Sequence, residues 1–238
     1  MQPCNSEHRA LISRRSLSFS QRGCAEAVLT VFNPVLGYKY SVKWDLRKSR
    51  ATEKRASLSR ARKAVLDGAN KNSPSFGLLK TFVREAVASS KVQCPGADIM
   101  GFVFAFDESR RELACMCNSV GGDDPACLRS IGYGRDVIGT SFRLNIPLFF
   151  SPDSEGFELL NAELRGKFPF LVGFPLGSDG EDNDALAVFA LASESPSSVI
   201  ANLADESSRR KVHEAVNRLW AKTEFAKLAA ESRATSPA

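Results

Sequence analysis

Hydrophobic positions recur at helical spacing in two stretches before the middle of the chain. Over 52–69, Leu58, Ala61, Val65 and Ala69 share a stripe, Thr52 suits an N-cap and Gly68 lies near the end. Asn70 to Ser75 is a polar break containing Pro74. A second helix is predicted from about Ser75, with Phe76, Leu79, Phe82, Val83, Ala86 and Val87 on one face. It stops before Cys94-Pro95-Gly96.

The texture then changes to β. Residues 98–107 hold IMGFVFAF between two acids and read as a strand. Asp107-Glu108-Ser109-Arg110 is a hairpin turn, and 112–120 is the return strand. Strict alternation puts Leu113, Cys115 and Cys117 on one of its faces and Ala114 and Met116 on the other. A Gly-Gly-Asp-Asp-Pro loop follows, then a short strand within 128–133. Gly134 and Gly139 bracket a tight segment that leads into the apolar run Ile146-Pro147-Leu148-Phe149-Phe150. Gly132-Tyr133-Gly134 is read as turn geometry with no helix after it. The connection 151–167 has a short helix expected around 157–164. Strands at 168–176 and 185–192 form a hairpin across an acidic turn. Residues 205–230 read as one amphipathic helix of about 35–40 Å. Its Val212, Val216, Leu219, Trp220 and Leu228 are expected to face a partner, and His213 to lie at a surface or interface.

Strand pairs flanked by helices at both ends argue for an α+β fold, with the flanking helices on one face of the sheet. The chain divides into a basic N-terminal extension (1–70), a sheet-bearing domain (71–230) and a short tail (231–238).

Composition is ordinary for a globular protein: 238 residues, 43% hydrophobic and 25% charged. Charge is more informative. The net charge is +5, yet residues 1–70 hold 14 Lys and Arg against 5 Asp and Glu. The basic character therefore belongs to the extension. Lys43, Arg47, Lys48 and Arg50 form its densest part, and the region 43–63 offers phosphate contacts to nucleic acid or anionic lipid; a solvated helical face is the simpler reading. No run of about 18 apolar residues is present, and residues 1–25 lack the apolar core of a secretory signal, so a cytoplasmic chain with reduced thiols is expected.

Three blocks carry a family resemblance: IMGFVFAFDESRRELAC, then IGYGRDVIGTSFRLNIPLFF, then LRGKFPFLVGFPLGSDGEDNDALAVFALAS with its Pro175-Leu176 step. With the closing helix, the stretch of about 76–228 resembles a GAF domain, a small-molecule sensor module of bacterial signalling proteins. The resemblance implies a central antiparallel sheet of five or six strands. It also implies a layer of N- and C-terminal helices that often forms a dimer bundle, and a ligand pocket on the opposite face.

Several ligand chemistries of that family lack their residues here. Asn70-Lys71 precedes the domain, and no Asp-Glu pair follows Phe76 at the distance that cyclic-nucleotide binding requires. The two histidines, His8 and His213, adjoin no cysteine, against bilin attachment, and neither suits a proximal haem ligand. The glycine-bracketed turn 134–139 has no cysteine, unlike the free methionine-sulfoxide reductases of the family; Cys117 and Cys127 remain as alternatives. No cofactor is called for.

Cys94, Cys115, Cys117 and Cys127 cluster in sequence. On a strand, Cys115 and Cys117 would share a face about 6–7 Å apart. Metal sites favour Cys-x-x-Cys, so buried small hydrophobes are the simpler reading and a redox or metal site the sharper one. For a small-molecule pocket, Phe142, Arg143, Asn145, Phe149 and Phe170 are the candidates, with Arg143 and Asn145 placed by alternation to orient a polar ligand. Three functions fit: a non-enzymatic sensory domain that dimerises through its terminal helices, binds an unidentified small molecule and passes a signal to a partner protein; a thiol-based redox or metal sensor, or reductase, on the same fold; and a scaffold that docks through its basic extension.

Overall fold

The computed structural model describes residues 52–93, 99–120, 128–154, 161–177, 184–194 and 202–234. The chain divides into two units, Met1–Ala56 and Ser57–Ala238. Of the first, only 52–56 are described, and they are helical.

Helix α1 takes 57–68 and α2 takes Phe76–Gln93. Strands β1 (Met100–Asp107) and β2 (Glu112–Asn118) follow as a hairpin, then β3 (Ser130–Gly132). Helix α3 spans Asp136–Leu144, β4 Leu148–Phe150 and α4 Ala162–Lys167. Strands β5 (Phe170–Leu176) and β6 (Ala187–Ser193) precede a 3-10 turn at Asn202–Ala204. Helices α5 (Glu206–Ala221) and α6 (Glu224–Ala234) close the described chain.

The six strands form one antiparallel sheet in the order β3-β2-β1-β6-β5-β4. Strands β1, β5 and β6 are buried on both faces because each face carries its own core. The outer core joins Val103, Val172, Phe174, Phe189 and Leu191 to Ala61 and Val65 of α1, Phe82 and Val83 of α2, Val212, Val216 and Trp220 of α5, and Phe225 of α6. The inner core joins Phe102, Phe104, Phe106, Leu171 and Val188 to Val137, Ile138 and Phe142 of α3 and Leu164 of α4. Alternation along β1 does this sorting: Phe102, Phe104 and Phe106 point inward, Val103 and Ala105 outward. The α+β class and the arrangement implied by the GAF resemblance, terminal helices on one face and the central connection on the other, are the observed ones.

Local expectations are corrected at several points. A helix does follow Gly132-Tyr133-Gly134. Val137, Ile138, Ser141 and Phe142 of α3 are buried at helical spacing, so alternation does not apply to Arg143 and Asn145. Gly139 lets α3 approach the turn, since a Cβ there would stand 2.3 Å from the Gly132 carbonyl oxygen. The short helix of the connection lies at Ala162–Lys167, capped by Asn161, whose Oδ1 accepts from the Glu163 amide at 2.9 Å. The closing helix is two helices. Thr223 Oγ1 donates to the Trp220 carbonyl oxygen (2.6 Å) and accepts from the Ala226 amide (3.3 Å), ending α5 and capping α6. Val212, Val216 and Trp220 are buried in the chain's own core and are unavailable to a partner.

Cys115 and Cys117 do not share a face. Val103 pairs with Cys117 and Phe104 with Cys115, so Met116 is an extra residue in β2. This bulge reverses the alternation. Cys117 joins the outer core and Cys115 packs on the inner one.

Candidate functional site

The N-terminal end of α5 is set by Asp205, whose Oδ2 accepts from the Ser208 amide at 2.8 Å. That bond holds the Asp205 carboxyl below its usual range. Arg209 Nη1 donates to the Leu203 and Ala204 carbonyl oxygens (2.9 and 2.7 Å), tying the preceding 3-10 turn to the helix. Val212, Val216 and Trp220 then seat α5 on the outer face of the sheet. This seating fixes His213, one residue off the stripe, over the end of β5.

The His213 ring stacks on Phe174, with centroids 6.1 Å apart and planes at 23°. Its Nε2 lies 2.8 Å from the Pro175 carbonyl oxygen and 2.8 Å from the side-chain amide of Asn217. A carbonyl oxygen only accepts, so Nε2 carries the hydrogen and Nδ1 is the ring's acceptor. The Asn217 orientation that suits this tautomer turns Oδ1 toward the ring. Burial lowers the His213 pKa, with the Pro175 contact opposing. The ring is therefore a neutral fixture at neutral pH. His213 is half-buried within its own chain.

Beside this ring runs an open groove of about 880 Å³. Pro175, Gly177 and Asn145 line it from the sheet side; His213, Glu214, Asn217, Arg218, Ala221 and Lys222 line it from α5. Asn145 arrives as the C-cap of α3 in the left-handed conformation (φ 55°), which asparagine tolerates. Arg218 Nε donates to the Glu214 carbonyl oxygen at 3.3 Å. Its exposed head and that of Lys222 give the rim two cations against the one carboxylate of Glu214.

The five residues singled out for a pocket do not converge. Phe142 is buried in the inner core, with its ring 4.7 Å from that of Phe106. Arg143 is exposed on α3, its stem folded along Gly134. Phe149 and Phe170 belong to the outer core. Asn145 alone of the five lines the groove. Cys94, Cys127, Lys43, Arg47, Lys48 and Arg50 lie outside the described residues. Among the described residues no three His, Cys, Asp or Glu side chains gather as metal ligands, and no helix is long and apolar enough to cross a membrane.

The groove was missed from sequence because His213 and Pro175 stand 38 positions apart. The available signal was His213 and Asn217, polar and four residues apart beside an apolar stripe.

No family model matches the chain, and no curated protein does. Solved structures do. A GAF domain of an Acinetobacter phosphoenolpyruvate-protein phosphotransferase is 13% identical, with 76% of this chain and 96% of that one covered and a TM-score of 0.47. The free methionine-R-sulfoxide reductase of Neisseria meningitidis, solved with its substrate, is 14% identical over 75% and 90%, with a TM-score of 0.42. The second GAF domain of DevS from Mycobacterium smegmatis is 18% identical over 66% and 98%, with a TM-score of 0.43.

Proposed function

We propose that this chain is a non-catalytic regulatory module of cytoplasmic signalling that holds a small anionic molecule in the groove between α5 and the end of β5. The observation that carries the reading is the fixed His213. Its ring is tied to the Pro175 carbonyl and stacked on Phe174, so it gives the groove a rigid wall. Arg218 and Lys222 supply the charge that recognises a carboxylate or phosphate, and Asn145 and Asn217 supply hydrogen-bonding amides. The arrangement favours binding over catalysis because Nε2 is engaged by a backbone carbonyl and does not shuttle protons. Ligand occupancy would bias α5 against the sheet, and a partner protein or a second copy reading the exterior of the helix layer would receive the signal.

The test is NMR observation of the His213 ring during titration with inorganic phosphate, succinate and adenosine monophosphate. One of these is expected to shift the ring signals saturably, and Arg218→Ala with Lys222→Ala to weaken that response at least tenfold. Signals that stay in place with all three, or that shift equally in the double variant, contradict the reading.

A further inference from the structure

Helix α1 packs on the outer side of the sheet through Ala61 and Val65, followed by Ala69. Arg62 leaves it in a different direction. Its guanidinium carbon lies 4.8 Å from the Phe142 ring centroid and 5.2 Å from that of Phe106, and both rings belong to the inner core. The side chain thus passes round the end of the sheet from one layer to the other.

Every nitrogen of the guanidinium has a counterpart there. Nε and Nη2 both donate to the Ala185 carbonyl oxygen, at 3.1 and 3.0 Å. Nη1 reaches Glu108 Oε1 at 3.5 Å. Tyr133 packs on both phenyl rings, with centroids 5.5 and 6.0 Å away. The Arg62 side chain is only 16% exposed. Burial lowers its pKa, and Glu108, then Asp184, oppose that shift.

Two aromatic faces, a carbonyl and a carboxylate are the complement of a planar cation with a fork of N–H donors; an ammonium has no such plane or fork. The Phe106 and Phe142 rings come from β1 and α3, the Ala185 carbonyl from the segment just before β6 and the Glu108 carboxylate from the β1–β2 turn, and none of these needs Arg62 for its own backbone pairing. Both rings and Ala185 belong to the inner core, and none of these residues lines the α5 groove.

We propose that Phe106, Phe142, Tyr133, the Ala185 carbonyl and Glu108 form a guanidinium-binding pocket that the chain's own Arg62 fills as an internal ligand. The ligand class is an alkylguanidinium. The tethered Arg62 excludes an external one at low millimolar concentration, and the pocket takes it when the Arg62 side chain is absent. The site is independent of the groove beside His213, so each stands or falls alone.

Arg62→Ala removes the atoms of ethylguanidinium, and that cation is the probe. Thermal unfolding of the full chain is followed with ethylguanidinium or ethylammonium at equal, low millimolar ionic strength. The variant is expected to melt several degrees below the parent and to regain part of that loss saturably with ethylguanidinium. Ethylammonium restores nothing, and the parent chain is indifferent to both. Adding Glu108→Gln is expected to weaken the rescue severalfold. A variant that responds no more than the parent, or equally to both cations, overturns the proposal. The unmodified chain supplies a second reading by ¹⁵N NMR. The Arg62 Nε–H signal is expected upfield of free arginine, from the two rings, and slow to exchange with water. A signal at the free-arginine position in fast exchange overturns the proposal whether or not the variant folds.

Discussion

Cys115 and Cys117 stand two positions apart on one strand and face opposite sides of the sheet. The extra residue is Met116, and the Cys115 Sγ lies 3.9 Å from the Cys117 carbonyl oxygen as the strand turns over. Cys117 is 4% exposed, in the core between the sheet and the terminal helices, whereas Cys115 is half-buried. The pair therefore cannot present two sulfurs to one ion from one face. With Cys4, Cys24, Cys94 and Cys127 replaced by serine, maleimide is expected to label Cys115 at least ten times faster than Cys117 in the native chain. Mass-spectrometric time courses read the two rates, and equal rates would contradict the bulge.

The half-buried, neutral His213 makes stability depend on pH. As pH falls, the unfolded chain takes up its proton near the ordinary value of about 6.5, and the folded chain only at lower pH. The unfolded state then binds more protons, so His213's contribution is present above about pH 6.5 and declines below it until the folded ring also titrates. The urea midpoint is expected to drop further between pH 7.5 and pH 5 in the parent than in His213→Gln, which keeps a donor for Pro175. The same drop in both would show that His213 is already charged or already exposed.

Gly139 is a packing requirement. A methyl group there meets the Gly132 carbonyl oxygen at 2.3 Å and the Gly134 nitrogen at 3.2 Å, and neither backbone atom can rotate aside. Gly139→Ala is expected to cost about 1–3 kcal/mol despite the better helix propensity of alanine. Gly77→Ala in α2 is the control, because nothing lies within 4 Å of its added Cβ. It should be neutral or slightly stabilising. Urea unfolding of both variants separates crowding from propensity.

Thr223 makes the break between α5 and α6. Removing its hydroxyl leaves the Ala226 amide without its cap, at a cost of about 0.5–2 kcal/mol. Thr223→Ala is expected to speed hydrogen exchange in α6 well before that in β1, β5 or β6, because the last helix alone depends on this cap. Thr223→Ser should restore the parent pattern. Uniform loss of protection across the sheet would contradict a local role.

Much of the architecture was legible in the residues. The stripe from Phe76 to Val87, the apolar runs of β1, β5 and β6 and the alternation of Phe102, Phe104 and Phe106 depend on backbone periodicity. That periodicity writes itself into neighbouring positions. The sheet, its helical cover and the α+β class followed from these local signals. Tertiary structure decided the rest. A bulge at Met116 inverted the cysteine faces, and α3 formed where two glycines had suggested only a turn, because its value lay in packing against Gly132 and the sheet. His213 found Pro175 across 38 residues, and Arg62 found Ala185 across 123. Such pairings are set by how whole layers dock, and no spacing along the chain encodes which carbonyl a distant side chain will reach.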